Sequence, residues 1–131
     1  MNPFASATEL LSALRERETS SLELTDLYIE RIHKHDAKIN VVVVRDFERA
    51  RASAREADAL RARGEERPLL GLPITLKESI NVTGLPTCCG VAAWKGFVSQ
   101  HDAPATARLK AAGAVILGKT NIPVGDRKSV V

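Results

Sequence analysis

The run Ala114-Val-Ile-Leu117, bounded by Gly113 and Gly118, contains no polar residue. Four consecutive apolar side chains cannot divide into a wet face and a dry face, so a strand of this kind needs cover on both sides. Upstream, Asp102 to Gly113 carries a helical pattern, with Asp102 as the expected cap, Pro104 in the first turn and Gly113 at the left-handed exit. Earlier still, the stretch from Leu69 to Leu76 begins a further apolar strand, followed by a loop to about Gln100 marked by Gly84, Pro86, Gly90 and Gly96. Strand, crossover, helix, strand is a βαβ unit. The expected class is α/β, with helices flanking a mostly parallel sheet.

The N-terminal third fits that frame. Ser6-Ala-Thr-Glu9 and Ser20-Ser-Leu-Glu23 both have capping-box spacing, and each precedes an apolar stripe: Leu10, Leu11 and Leu14, then Leu24, Leu27, Tyr28 and Ile32. Two antiparallel helices follow from this spacing. Ile39 to Val44 is a β-branched run that reads as a strand. Asp46 is expected to cap a third helix whose stripe (Phe47, Ala50, Ala54, Ala57, Leu60) is mostly alanine, with Gly64 as its stop. The chain thus divides into a helical opening over 1–38, strand and helix units over 39–123, and an atypical tail over 124–131.

Charge and composition narrow the function. Seven arginines lie between Arg45 and Arg67, but Asp46, Glu48, Glu56, Asp58, Glu65 and Glu66 are interleaved with them. Such mixed signs make a solvated helix face rather than a phosphate-tracking stripe, so no nucleic-acid partner is expected. The opening MNPFASATELL lacks a basic segment followed by a long apolar core, and no apolar run approaches the roughly twenty residues of a membrane span. Neither a secretory leader nor a membrane partner is expected.

The two cysteines, Cys88 and Cys89, are neighbours, and bridging each other would strain the backbone. A reducing, cytoplasmic setting is therefore the expectation. The pair reads either as two small half-buried side chains in a loop or as a vicinal dithiol. His33 and His35 do not converge on one helix face, His101 stands alone in a loop, and no set has zinc spacing. No metal and no cofactor are expected. Trp94 and Phe97, with Lys95 between them, read either as a small interaction patch in the long loop or, the expected case, as packing that loop onto the body.

Two lysines compete for attention. Gly113-Ala-Val-Ile-Leu-Gly-Lys-Thr120 matches the phosphate-loop pattern letter by letter. A phosphate loop, however, needs a strand before its first glycine and a helix at its Lys-Thr, so that free backbone N–H groups face the phosphates. Here a helical pattern comes first, and Asn121-Ile-Pro123 follows. Lys119 is therefore expected to be structural, with a nucleotide binder as the weakest alternative. Lys77 instead ends a hydrophobic strand, where α/β sheets usually carry their sites. A lysine partly withdrawn from water can act as a base, although a strand-end lysine also fits a snorkelling surface residue.

Gly71-Leu-Pro-Ile-Thr-Leu-Lys77-Glu-Ser79, Asn81-Val-Thr-Gly-Leu-Pro86, Asp102-Ala103 and the segment from Arg108 to Pro123 together resemble the N-terminal part of the amidase signature family. The resemblance runs from about Ser6 to Pro123 and implies an incomplete amidase-signature fold. It also implies cleavage of a carbon–nitrogen amide bond in a small-molecule substrate. In that family a serine attacks the carbonyl, and a second serine in a cis peptide relays its proton to a lysine. Lys77 matches that lysine and is the one catalytic residue assigned.

The family's serine-bearing Gly-Gly-Ser-Ser-Gly-Gly loop lies downstream of the position matching Pro123. The tail over 124–131 holds only Ser129, without flanking glycines. Ser79 shares the Lys77 strand face but has no nucleophile loop around it. The resemblance thus implies an N-terminal portion without its nucleophile, inactive by itself. Three strands with an open edge imply marginal stability, self-association or a complementing chain. A non-catalytic interaction module built on the same scaffold is the alternative.

Overall fold

A computed structural model describes residues 2–126 of the chain. The expected 124–131 tail, including Ser129, lies outside the described residues from Arg127 onward. Both capping boxes form. Helix α1, Ala7–Arg15, starts at Ser6, whose hydroxyl accepts the Glu9 N–H while the Glu9 carboxylate accepts the Ser6 N–H at 2.7 Å. Helix α2, Ser21–His35, repeats the arrangement with Ser20 and Glu23. Each box satisfies two N–H groups that a helix start otherwise leaves unpaired. Leu10, Leu14 and Leu24 then meet Leu72, fastening both helices to the edge of the sheet.

The remaining elements are β1 (Val42–Arg45), α3 (Phe47–Ala62), β2 (Pro73–Lys77), α4 (Pro104–Ala111) and β3 (Val115–Thr120). They build a three-stranded sheet in the order β1-β3-β2. Strands β2 and β3 are parallel and joined through α4, which is the expected βαβ unit. The expected α/β class, with helices beside a partly parallel sheet, stands; strand β1 runs antiparallel to β3, so these three strands form a mixed sheet.

The register gives the reason. Arg45 pairs with Gly118, the Asp46 N–H donates to the Leu117 carbonyl, and Leu69 donates to Ala112. The chain therefore keeps moving toward the start of β3 through α3. It reverses only over 63–72, before β2. Helix composition cannot signal where that reversal falls.

The apolar run of β3 is covered on both faces, as its composition demands. Val115 and Leu117 pack against Ile29, Ala50 and Ala54 of α2 and α3. Ile116 packs with Leu76, Val82 and Leu85, and Leu109 of α4 lies against that cluster. The alanine stripe lets α3 lie close, and Gly64 ends it at φ +83°.

Two expected caps are corrected. Asp46 holds the N-cap position of α3 but pairs with Arg49 rather than with the helix backbone. Asp102 is not the cap of α4, which is Ala103; its carboxylate instead accepts the Thr83 N–H at 2.7 Å and a Lys110 bond at 2.8 Å. A nearby cation outcompetes the backbone in both cases. The outer edges of β1 and β2 have no strand partner among the described residues, and Val41, just before β1, and Val43, within it, are exposed. No helix among the described residues is long and apolar enough to cross a membrane.

Candidate active site

Gly113 to Thr120 is a helix exit followed by a strand, and it builds no phosphate loop. Gly113 has φ +94°, and a Cβ there would stand 2.7 Å from the Leu70 Cα. Gly118, at φ +154°, lies so close to β1 that a Cβ would overlap the Val44 carbonyl oxygen. Both glycines of the pattern thus serve chain packing. The Val115 N–H, which a phosphate loop would leave open, donates to the Leu72 carbonyl at 2.9 Å.

Gly118 also belongs to a β-bulge. Ile74 pairs with Ile116 but Thr75 pairs with Gly118, leaving Leu117 as an extra residue. Strict alternation would send Lys119 under α2 and α3 with Val115 and Leu117. The bulge resets the alternation, so Lys119 faces the same side as Ile116 and Leu76, beneath the loop after β2.

Lys119 is fully buried there, at 0% exposure. Its ammonium donates to the Pro86 carbonyl and, at 2.7 Å, to the Thr87 hydroxyl. Glu78 is almost as buried, and its carboxylate accepts the N–H groups of Cys88 and Cys89 at 2.6 and 2.8 Å. The segment Pro86–Cys89 is therefore clamped by a cation from β3 and an anion from the residue after β2. Burial pushes the Lys119 pKa below the ordinary lysine value, and the nearby Glu78, Cys89 and Cys88 partly oppose that shift. The structural role expected for Lys119 has here a definite form.

Glu78 and Thr87 escaped the sequence reading. A signal existed for Glu78: it shares strand parity with Leu72, Ile74 and Leu76, and a charged residue at core parity calls for a buried partner.

Lys77 is the opposite case. It closes β2 opposite Thr120, and it is exposed rather than withdrawn from water. The Ile80 N–H folds back onto the Lys77 carbonyl at 2.9 Å, placing Ser79 in the turn that follows. Four other described serines are engaged elsewhere. Ser21 donates to the Gly71 carbonyl at 2.8 Å and Ser99 to the His101 carbonyl at 2.7 Å, while Ser6 and Ser20 cap helices. No cluster of three metal-ligating side chains occurs among the described residues. A cavity of about 360 Å³ lies between α3, α4 and β3, away from Lys77. Arg49, Arg67 and Lys110 on its wall are each paired with a carboxylate, so its charge is largely neutralised internally.

The Amidase family model matches residues 23–125, most of the chain. The chain belongs to the amidase signature family. Among its relatives, a glutamyl-tRNA(Gln) amidotransferase subunit of Roseiflexus castenholzii is 48% identical over 117 residues, which are 89% of this chain and 23% of that protein. The corresponding protein of Psychrobacter cryohalolentis is 41% identical over 117 residues, 89% of this chain and 24% of that protein. The solved peptide amidase of Stenotrophomonas maltophilia superposes with a TM-score of 0.86 at 34% identity, covering 92% of this chain and 25% of that one. The amidase fold over this region is thus shared, and the chain spans about a quarter of the length of these relatives.

Proposed function

We propose that this chain supplies the lysine-bearing N-terminal portion of an amidase-signature enzyme that cleaves a carbon–nitrogen amide bond, with Lys77 as the catalytic base. The observation that carries this reading is the position of Lys77. It stands exposed at the end of β2, in the Gly71 to Ser79 stretch that matches the family, while the neighbouring Lys119 is locked in the interior. An amine at a strand exit can take a proton from a hydrogen-bonded hydroxyl once a second segment closes over it and removes water. Among the described residues no serine lies in a glycine-rich loop that would expose backbone N–H groups for an oxyanion. The nucleophile and those donors are therefore assigned to polypeptide beyond the described residues, and the described portion is inactive alone.

The open edges of β1 and β2 and the exposed Val41 and Val43 support docking of that further polypeptide onto this sheet. The names of the relatives, a peptide amidase and a protein of an amidotransferase, agree with an amide substrate and do not select one. The test is complementation. The chain is co-expressed with the remaining three-quarters of the Roseiflexus castenholzii relative, and ammonia release from carboxamides and labelling by a serine-reactive phosphonate are followed. Activity and labelling should require both pieces, with the label on the complement. Labelling of this chain alone would overturn the assignment.

A further inference from the structure

Cys88 and Cys89 have no part in the amide chemistry proposed above. Both are free thiols of intermediate exposure. Their N–H groups end on one carboxylate, Glu78, and the Val91 N–H closes a turn onto the Cys88 carbonyl at 2.8 Å. Cys89 and Gly90 both have positive φ, +50° and +69°, so the backbone curls here. Neighbouring side chains on an extended strand point to opposite faces, and the curl removes that constraint. The two residues before them, Pro86 and Thr87, are held by the buried ammonium of Lys119, so the turn is anchored on both sides. Adjacent residues have Cα atoms about 3.8 Å apart, so an anchored turn that carries two partly exposed free thiols offers a ligand two sulfurs in one place.

We propose that Cys88 and Cys89 together form a binding site for a trivalent organoarsenical, a thiophilic centre that bonds two sulfurs at once. No redox partner is needed. With phenylarsine oxide, two S–H bonds and the arsenic–oxygen bond break and two As–S bonds form. The oxygen leaves with both thiol protons as one water. Once one sulfur is bound, the second binds intramolecularly, so the chelate outlasts attack by a monothiol. The site does not depend on the amidase reading. Its occupant would sit on the turn clamped by Glu78 and Lys119, beside the strand end that carries Lys77.

The test treats the full 131-residue chain with phenylarsine oxide and follows intact mass. The expected product carries one phenylarsenic group with loss of one water. It protects both cysteines from iodoacetamide, survives excess glutathione and is released by 2,3-dimercaptopropanol. Cys88→Ser and Cys89→Ser should each shorten the adduct's lifetime in glutathione by about tenfold or more. The proposal is overturned if glutathione strips the wild-type adduct as fast as the single-cysteine ones, or if only one cysteine is protected. Should a serine variant fail to fold, protection mapping on the wild-type chain decides alone.

Discussion

Lys77 and Lys119 sit one register step apart on paired parallel strands, Leu76 opposite Lys119 and Lys77 opposite Thr120, yet they live in different environments. Lys119 is sealed beneath the loop that follows β2, held by a carbonyl and a hydroxyl and depressed in pKa by burial. Lys77 faces outward at the end of β2. The property expected of a catalytic base, withdrawal from water, belongs within this chain to the lysine assigned a structural role. The difference separates two uses of desolvation. At Lys119 the fold supplies it permanently and gains a clamp. At Lys77 a closing segment would have to supply it, which leaves the amine reachable by substrate.

The comparison breaks most readily at Gly118, because the bulge there sends Lys119 beneath the loop. Gly118→Ala sets a methyl against the Val44 carbonyl at a backbone conformation that L side chains rarely adopt. It should cost about 3 kcal/mol or more. A lost or sharply lowered urea midpoint would show this, and an unchanged one would show that the bulge is dispensable.

Next in size is Lys119→Met, which leaves the Pro86 carbonyl without its donor and Glu78 without its nearby cation. A loss of about 1–3 kcal/mol is expected near neutral pH. Its pH dependence sharpens the point. The folded pKa is lowered, so the unfolded chain binds the proton more tightly, and this residue's contribution rises with pH from the folded value up to about 10.4. The gap between wild type and Lys119→Met should therefore widen on going alkaline. Parallel stability curves for the two would contradict the burial of Lys119.

Glu78→Gln keeps one acceptor oxygen for the Cys88 and Cys89 N–H groups but removes the charge beside Lys119. A smaller loss of about 1 kcal/mol is expected, with faster amide hydrogen exchange at those two positions. Lys77→Ala, at an exposed position, should change stability by no more than about 0.5 kcal/mol.

Much of this arrangement was legible in the sequence, and the exceptions share a cause. Ser6 with Glu9 and Ser20 with Glu23 were readable because a capping box is a local contract between residues three apart. The alanine stripe of α3 and the doubly covered run of β3 were readable because periodicity reports burial. The direction of β1, the Asp102 bond to Thr83 and the clamp of Lys119 on Pro86 join residues far apart in the chain. No spacing rule reports such contacts. Asp46 and Asp102 look like caps by position; Asp46 pairs instead with Arg49 three residues on, while Asp102 is drawn to Lys110 and to Thr83, which only the folded geometry brings near.

The central claim is that the exposed lysine does the chemistry and the buried one holds the fold. It is tested most directly by measuring kcat and the urea midpoint together for Lys77→Ala and Lys119→Met in the complemented assembly. Loss of a general base should lower kcat by about 10²–10⁴-fold in Lys77→Ala while its midpoint falls less than that of Lys119→Met. Lys119→Met should lower the midpoint and leave kcat, per folded molecule, near wild type. A Lys77→Ala assembly that still turns over at the wild-type rate would contradict the account, as would a Lys119→Met assembly that is stable but inactive.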